Sequence, residues 1–527
     1  MQSDFPTPSW ARRHAPLFAV LAIYLGLAVP LAIGLPMWVD EAYSLRTSSL
    51  SLIESLRAGF YFERQAPLYF GLLHLWRAIH PSPEFARLFS VLCGAATLIV
   101  GARFSRRVFP DLSEAALPAL LALHPLFLYA VLEIRVYALA TLLAACLLLA
   151  FVRAFFTEGA RLRDEIYFGL LAALALYTQY YLGFLLLALW MALLATGRWR
   201  GAVRYLRPMA LAAALATPLL LAVPAQLRLS EGTMPSPYSV REYFQFIFER
   251  CDYIVLPAFS DWAMHMHSAH GQRVLFWAFR LFPWVAAAVA IRRIGFGSSR
   301  IRALGLWWIG FACFGLSVGA IGIAVGRHLV EPFRYATLLI MPGTVALFAL
   351  LAVFGRRVTA ICVLLLLVSN GALAWQRCRI AIHEDLKLLG FGLVAKGGDA
   401  RRIAHYIQSY ERPGQPIAIF PSDEALVLAN YYHGQNRLVP LPRPVPLGRL
   451  DYHNLVVPSE SAIEEALGGL GNDLVWLVCK HIDSLDGISP NLHHVLNFFG
   501  SRYEVVQEQR FIDGTEVKLL RRSPRTR

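Results

Sequence analysis

The sequence predicts a polytopic α-helical membrane protein with a small C-terminal α/β domain. Of its 527 residues, 57% are hydrophobic and only 16% charged, against about 25% charged in a typical soluble domain. Mean hydropathy is +0.51. The apolar residues fall in repeated runs of roughly 20, the length at which a helix crosses about 30 Å of hydrocarbon. From about residue 376 the composition becomes that of an ordinary soluble domain.

Apolar runs place about eleven spanning helices at roughly 15–36, 84–102, 112–130, 134–155, 165–178, 180–197, 207–226, 273–291, 303–325, 333–354 and 357–375. The first follows Arg12 and Arg13 in the manner of a signal peptide. It exceeds the usual apolar core of about 7–15 residues and lacks a small-residue cleavage site, so it reads as a retained anchor. Residues 165–197 also fit one long hairpin broken around Tyr177–Tyr181. The run 66–80 is too short to cross and is stopped by Pro81 and Pro83, which suits an interfacial or re-entrant helix.

The charge is strongly basic, +14 with an isoelectric point near 9.6. No aromatic-interleaved basic surface accompanies it, which argues against nucleic acid. Membrane topology explains the basic residues better. Alternate connections carry Arg12/Arg13, Arg103/Arg106/Arg107, Arg153/Arg161/Arg163, Arg198/Arg200/Arg204/Arg207, Arg292/Arg293/Arg300/Arg302 and Arg356/Arg357. The intervening connections carry few: Arg135, then none near Tyr180, then Arg327 and Arg334. Basic loops stay cytoplasmic, so the N-terminus lies inside and eleven crossings put the C-terminal domain outside.

Two outer segments are long. One covers about 37–83 and contains an amphipathic stretch, Ser51–Phe62, suited to the membrane surface. The other covers about 227–272, with Pro235, Pro237, several aromatics and His265, His267 and His270. Long aromatic-rich loops favour function. The histidines could ligate a metal, yet no Cys or carboxylate spacing supports them, and an ordinary loop is the plainer reading.

The expected organisation is a transmembrane domain over 1–375, a soluble α/β domain over 376–520 and a disordered basic tail over 521–527. Within the soluble part, Gln415–Phe420 and Asp473–Cys479 read as strands and Asp423–Tyr432 as a helix ending at Gly434. Tyr503–Leu520 reads as a hairpin turning at Asp513-Gly514. The seven cysteines show no metal-ligand spacing. Cys93, Cys146, Cys313 and Cys362 lie in apolar runs as packing residues, Cys251 lies outside them, and Cys378 with Cys479 could form a disulfide.

Carboxylates beside hydrocarbon need a reason. Asp40 and Glu41 follow the first span on its outer side; the plainest reading is solvated charges marking a helix exit. Glu133 and Arg135 share a very short connection between the third and fourth spans, where a local ion pair would suffice. Arg334 and Tyr335 open the tenth span after Glu331, where an Arg reaching for the interface beside a belt Tyr would suffice. Together, three connections place acidic, Arg and Tyr groups on one face of the membrane. Arginine can hold a phosphate bidentately while a carboxylate takes a proton from a hydroxyl.

These residues resemble the GT-C superfamily of membrane glycosyltransferases, in the branch holding protein O-mannosyltransferases, the aminoarabinose transferase of lipid A and the rhizobial lipopolysaccharide galacturonosyltransferases. The likeness rests on Asp40-Glu41-Ala42-Tyr43-Ser44, on Ala66-Pro67-Leu68-Tyr69 running through Trp76, and on Glu84-Phe85-Ala86-Arg87 through Ser90. It continues in Glu133-Ile134-Arg135-Val136-Tyr137 and in Arg334-Tyr335. It is strongest over about the first 150 residues. Many relatives read Asp/Glu-x-His-Pro-Pro before the Leu-Tyr, whereas this chain has Glu63-Arg64-Gln65-Ala66-Pro67, so a metal or acceptor contact made by that His has no counterpart at Gln65.

The resemblance implies that Asp40 is the catalytic base with Glu41 beside it. It further implies that Glu63, Tyr69, Glu133, Arg135, Tyr137, Arg334 and Tyr335 bind substrate, Arg334 at the donor phosphate. The implied donor is a polyprenyl-phosphate sugar, and the acceptor a lipid, glycan or protein. The implied setting is a bacterial inner membrane with the outer side periplasmic, and a divalent ion could assist. A transporter or flippase for a lipid-linked saccharide is the alternative, expecting charged or broken helices at the bilayer midplane and internal repeats. A non-catalytic scaffold or receptor built around the outer domain is a third reading.

Overall fold

The computed structural model describes residues 10–157, 159–229, 239–258, 299–324, 337–383, 399–446, 452–468, 473–482, 488–511 and 513–524, with isolated positions between 260 and 292. Arg334, Tyr335, His265, His267, His270, most of the expected span at 273–291 and the first residues of that at 333–354 lie outside the described residues.

The chain divides into two compact units. One comprises Met1–Ile33, Arg87–Leu221 and Pro235–Arg379; the other comprises Gly34–Ala86, Ala222–Met234 and Ile380–Arg527. The outer segment after the first span therefore groups with the C-terminal residues.

In chain order the helices begin with α1 (Trp10–Gly34), which lies in the first unit as far as Ile33, followed in the second unit by α2 (Val39–Ser48), α3 (Leu52–Tyr61) and α4 (Leu68–Arg77). The first unit resumes at Arg87 within α5 (Pro83–Val108) and continues through α6 (Ala116–Ala122), α7 (Pro125–Val131), α8 (Tyr137–Phe156), α9 (Leu162–Thr178), α10 (Leu182–Ala195), α11 (Trp199–Leu229), whose end from Ala222 lies in the second unit, and α12 (Val240–Val255). The last members are α13 (Ser299–Ala324), α14 (Ile340–Val353) and α15 (Arg356–His383).

Among the described residues, five helices are long and apolar enough to cross a membrane: His14–Gly34, Pro83–Val108, Tyr137–Phe156, Trp199–Gln226 and Arg356–Gln376. Leu182–Ala195, Gly305–Ala320 and Thr337–Val353 are apolar but shorter. Several carry large apolar side chains outward, among them Leu221, Ile361, Leu364, Leu365 and Val368. Such faces are unfavourable in water and suit lipid. The chain is a membrane protein.

One expected span is not a single helix. The run 112–130 breaks into α6 and α7 at His124-Pro125, where His124 is extended with ψ 121°. Proline lacks an N–H and disfavours the helical region for the residue before it. The His124 side chain then caps α7, accepting the Leu126 N–H at Nδ1 (3.2 Å).

The C-terminal part of the second unit is a five-stranded sheet in the order β2-β1-β3-β5-β4, with β1 Ile417–Phe420, β2 Leu438–Pro440, β3 Leu474–Lys480, β4 Tyr503–Arg510 and β5 Thr515–Arg522. The strands β2, β1 and β3 run parallel, and β5 and β4 add antiparallel. Both faces are covered. Ala418, Phe420, Val475 and Leu477 pack towards Ile463 and Leu467 of α18 (Glu460–Leu467) and Val495 and Phe498 of α19 (Leu492–Arg502). Ile417, Ile419, Trp476 and Val478 pack towards Ile403 and Ile407 of α16 (Ala400–Tyr410) and Leu428 of α17 (Glu424–Leu428). A strand buried on both faces reads as a continuous apolar run, which is why Ile417–Phe420 and Leu474–Cys479 stand out.

The hairpin turns at Gly514, whose φ of +86° favours glycine. Three expectations change. Arg521 and Arg522 belong to β5 and not to a disordered tail, because they complete its pairing with β3 and β4. Cys479 is buried and free, so it forms no disulfide with Cys378. The last membrane helix runs past residue 376 to His383.

Candidate active site

The helix α2 places Asp40 and Glu41 in its first turn, where the unpaired N–H groups and the helix dipole favour carboxylates. The two acids differ in burial. Glu41 is fully buried, and its Oε2 accepts the Trp38 N–H at 3.4 Å, the returning half of a capping box. Asp40 is half-buried; its main-chain carbonyl accepts the Ser44 hydroxyl at 3.2 Å.

The neighbouring short helices fix α2 from one side. Arg77 of α4 donates from Nη1 to the Leu45 carbonyl (2.5 Å) and Ser48 Oγ (2.8 Å), and His74 meets the Ser48 carbonyl at 3.2 Å. Glu63 reaches the same helix, its Oε1 accepting from Thr47 Oγ1 at 3.2 Å. Thr47 is seven residues after Asp40, about 10 Å along the axis. Tyr69 is buried in the first turn of α4, edge-on to Phe70 at 5.3 Å.

Between α3 and α4, Arg64 has a φ of +54°, a left-handed conformation that costs a non-glycine residue about 1–3 kcal/mol when over-determined by its surroundings. Gln226 supplies such determination, donating from Nε2 to the carbonyls of Phe60 (2.8 Å) and Gln65 (3.3 Å).

On its other side α2 is tied to the C-terminal sheet domain. The Met37 N–H donates to Tyr431 Oη at 3.0 Å, Tyr43 Oη to Asp423 Oδ2 at 3.4 Å, and Arg46 Nη1 to the Val445 carbonyl at 2.8 Å. Tyr43, Ala58, Phe62, Val445 and Leu455 form one apolar cluster across these segments. Asp423, Tyr431 and Val445 carry no motif, so sequence reading had no signal for them. Burial pushes the Asp423 carboxyl up to about 7, Glu424 adds to this, and Lys480 and Tyr43 oppose it.

In the first unit, Glu133, Arg135 and Tyr137 occupy the turn from α7 to α8. All are buried, Glu133 and Tyr137 almost completely. The turn is held from α5, where Ser90 Oγ donates to the Glu133 carbonyl at 2.5 Å. Thr141 Oγ1 donates to the Tyr137 carbonyl at 2.8 Å. The connection expected to hold a local ion pair is thus a buried turn.

Asp40, Glu41, Glu63 and Tyr69 thus belong to one unit and Glu133, Arg135 and Tyr137 to the other. Among the described residues no group of three or more His, Cys, Asp or Glu side chains is placed to hold a metal ion.

No protein-family model and no curated protein sequence matches the chain. Solved structures do resemble it. ArnT from Cupriavidus metallidurans aligns at a TM-score of 0.46 and 15% identity over 96% of this chain and 98% of that one. ArnT bound to undecaprenyl phosphate aligns at 0.47 and 13%, over 97% and 98%. The arabinofuranosyltransferase AftD from Mycobacteria aligns at 0.46 and 14%, over 95% of this chain and 40% of that one. These are glycosyltransferases of the GT-C superfamily, the group that the sequence motifs resemble.

Proposed function

We propose that this protein is a membrane glycosyltransferase that moves a sugar from a polyprenyl-phosphate donor to an acceptor hydroxyl at the outer face of the inner membrane. The observation that carries this reading is the division between the two acids of α2. Glu41 caps the helix from a buried position, while Asp40 sits half-buried beside it on a helix braced from both sides. A braced helix with a partly exposed Asp at its start suits a positioned general base.

In the proposed step Asp40 takes the proton of the acceptor hydroxyl as that oxygen bonds to the anomeric carbon. The bond from that carbon to the phosphate oxygen breaks, and its electron pair leaves with the polyprenyl phosphate. A single displacement inverts the carbon. Arg334 and Arg135 carry positive charge for the departing phosphate. Glu63, Tyr69, Glu133, Tyr137 and Tyr335 complete the proposed binding set.

Positioned base catalysis contributes about 10²–10⁴-fold. Asp40→Asn, assayed in membranes with the native lipid-linked donor, is expected to lose sugar transfer by at least about 100-fold while its expression is retained. Unchanged turnover would reject Asp40 as the base.

A further inference from the structure

A groove of about 790 Å³ runs beside β2, at the edge of the C-terminal sheet, between that strand, the turn at Tyr452–Leu455 and α18. Its size lies within the roughly 300–1,000 Å³ of small-molecule sites. Two arginines bracket the strand, Arg437 before it and Arg443 after it.

Both are exposed, and both are oriented by neutral acceptors. Arg437 Nη2 donates to the Ala466 carbonyl at 3.4 Å and Arg443 Nη2 to Asn454 Oδ1 at 2.5 Å. Neither has a carboxylate within ion-pair distance among the described residues. Other basic side chains of this domain do: Lys480 pairs with Glu424, Arg502 with Glu460, and Arg510 and Lys518 with Glu516. Among the described residues the groove thus carries two arginines without a carboxylate partner against one lining carboxylate, Glu465.

The remaining lining selects among anions. Pro440 and Pro442 offer rigid apolar surface of the kind that packs on the C–H face of a pyranose, while Glu465 and His453 bring hydrogen-bonding groups for hydroxyls. Pro440 also lacks an N–H within the edge strand, which works against an added peptide strand. Arginine forks match carboxylate and phosphate oxygens.

We infer that this groove binds an anionic saccharide, a sugar bearing a carboxylate or a phosphate, as part of the acceptor. Its role as an acceptor site rests on the glycosyltransferase reading; its binding chemistry does not.

The test uses full-length protein in nanodiscs, titrated with glucuronate, glucose 1-phosphate, glucose and inorganic phosphate and followed by calorimetry. At least one anionic sugar is expected to bind at least tenfold more tightly than both glucose and inorganic phosphate. The paired variant Arg437→Gln/Arg443→Gln is expected to lose at least tenfold of that affinity with an unchanged thermal midpoint, and Asp40→Asn to keep it. Equal binding of charged and neutral sugars, phosphate binding as tight as the sugars, or an unaffected paired variant would overturn the inference. Charge-dependent binding by an unaltered protein that transfers no sugar from any polyprenyl-phosphate donor would leave the groove standing and remove the glycosyltransferase reading instead.

Discussion

Asp423 closes the carboxyl end of β1, and its surroundings make its charge conditional. It is 8% exposed, and its Oδ1 has no hydrogen-bond partner among the described residues. A buried carboxylate with so little compensation favours its neutral form, in keeping with the rise to about 7. Because the folded value lies above the ordinary carboxylate range, the neutral form stabilises the fold at low pH. That contribution declines as pH climbs from about 4 towards and through about 7. The thermal midpoint of the solubilised protein is therefore expected to fall between pH 6 and pH 8, and Asp423→Asn to flatten the slope. Parallel slopes for the two proteins would refute this. Legibility at this scale was partial. Asp40 and Glu41 were visible as acids at a helix exit, but not which of them caps the helix, because Trp38 occupies the position where a Ser, Thr, Asp or Asn would have signalled a capping box. Asp423 was visible only as a helix start, since its burial depends on Tyr43, 380 residues earlier.

Among elements, the packing of α1 on α5 depends on one glycine. A Cβ at Gly94 would run into Tyr24 Oη and come within 2.6 Å of Val131 Cγ1, while Tyr24 Oη donates to the Val91 carbonyl at 2.8 Å. Gly94→Ala is expected to cost about 1–3 kcal/mol by overpacking and to lower the thermal midpoint by several degrees; an unchanged midpoint would show that the neighbours give way freely. Long apolar helices such as α5, α8 and α11 were legible because their runs exceed what any soluble helix needs. The break between α6 and α7 was announced by Pro125, but apolar residues on both sides masked it as one run. The three-residue strand β2 was not legible at all. It is short, ends in proline and exists only through its pairing with β1.

For the molecule as a whole, the distribution of arginines makes a strong directional statement. Arg57 on α3 and Arg161 at the start of α9 are both exposed, and the expected topology puts them on opposite sides of the bilayer. With a membrane-impermeant maleimide, Arg57→Cys is expected to label in intact spheroplasts and Arg161→Cys only after lysis. The reverse pattern would invert the topology. The C-terminal sheet was legible from composition and from the continuous apolar runs of β1 and β3. Its grouping with residues 34–86 was not, because periodicity reports local faces and carries nothing about partners hundreds of positions away.

The ties at Met37, Tyr43 and Arg46 run to Tyr431, Asp423 and Val445. A ribosome delivers the acidic helix 380 to 399 residues before its anchoring partners. While the chain is being made, that helix waits without its final support, and a truncated product carries the acids but not their frame. The support of the helix that carries Asp40 is therefore written 380 to 399 positions further along the chain than the groups it holds.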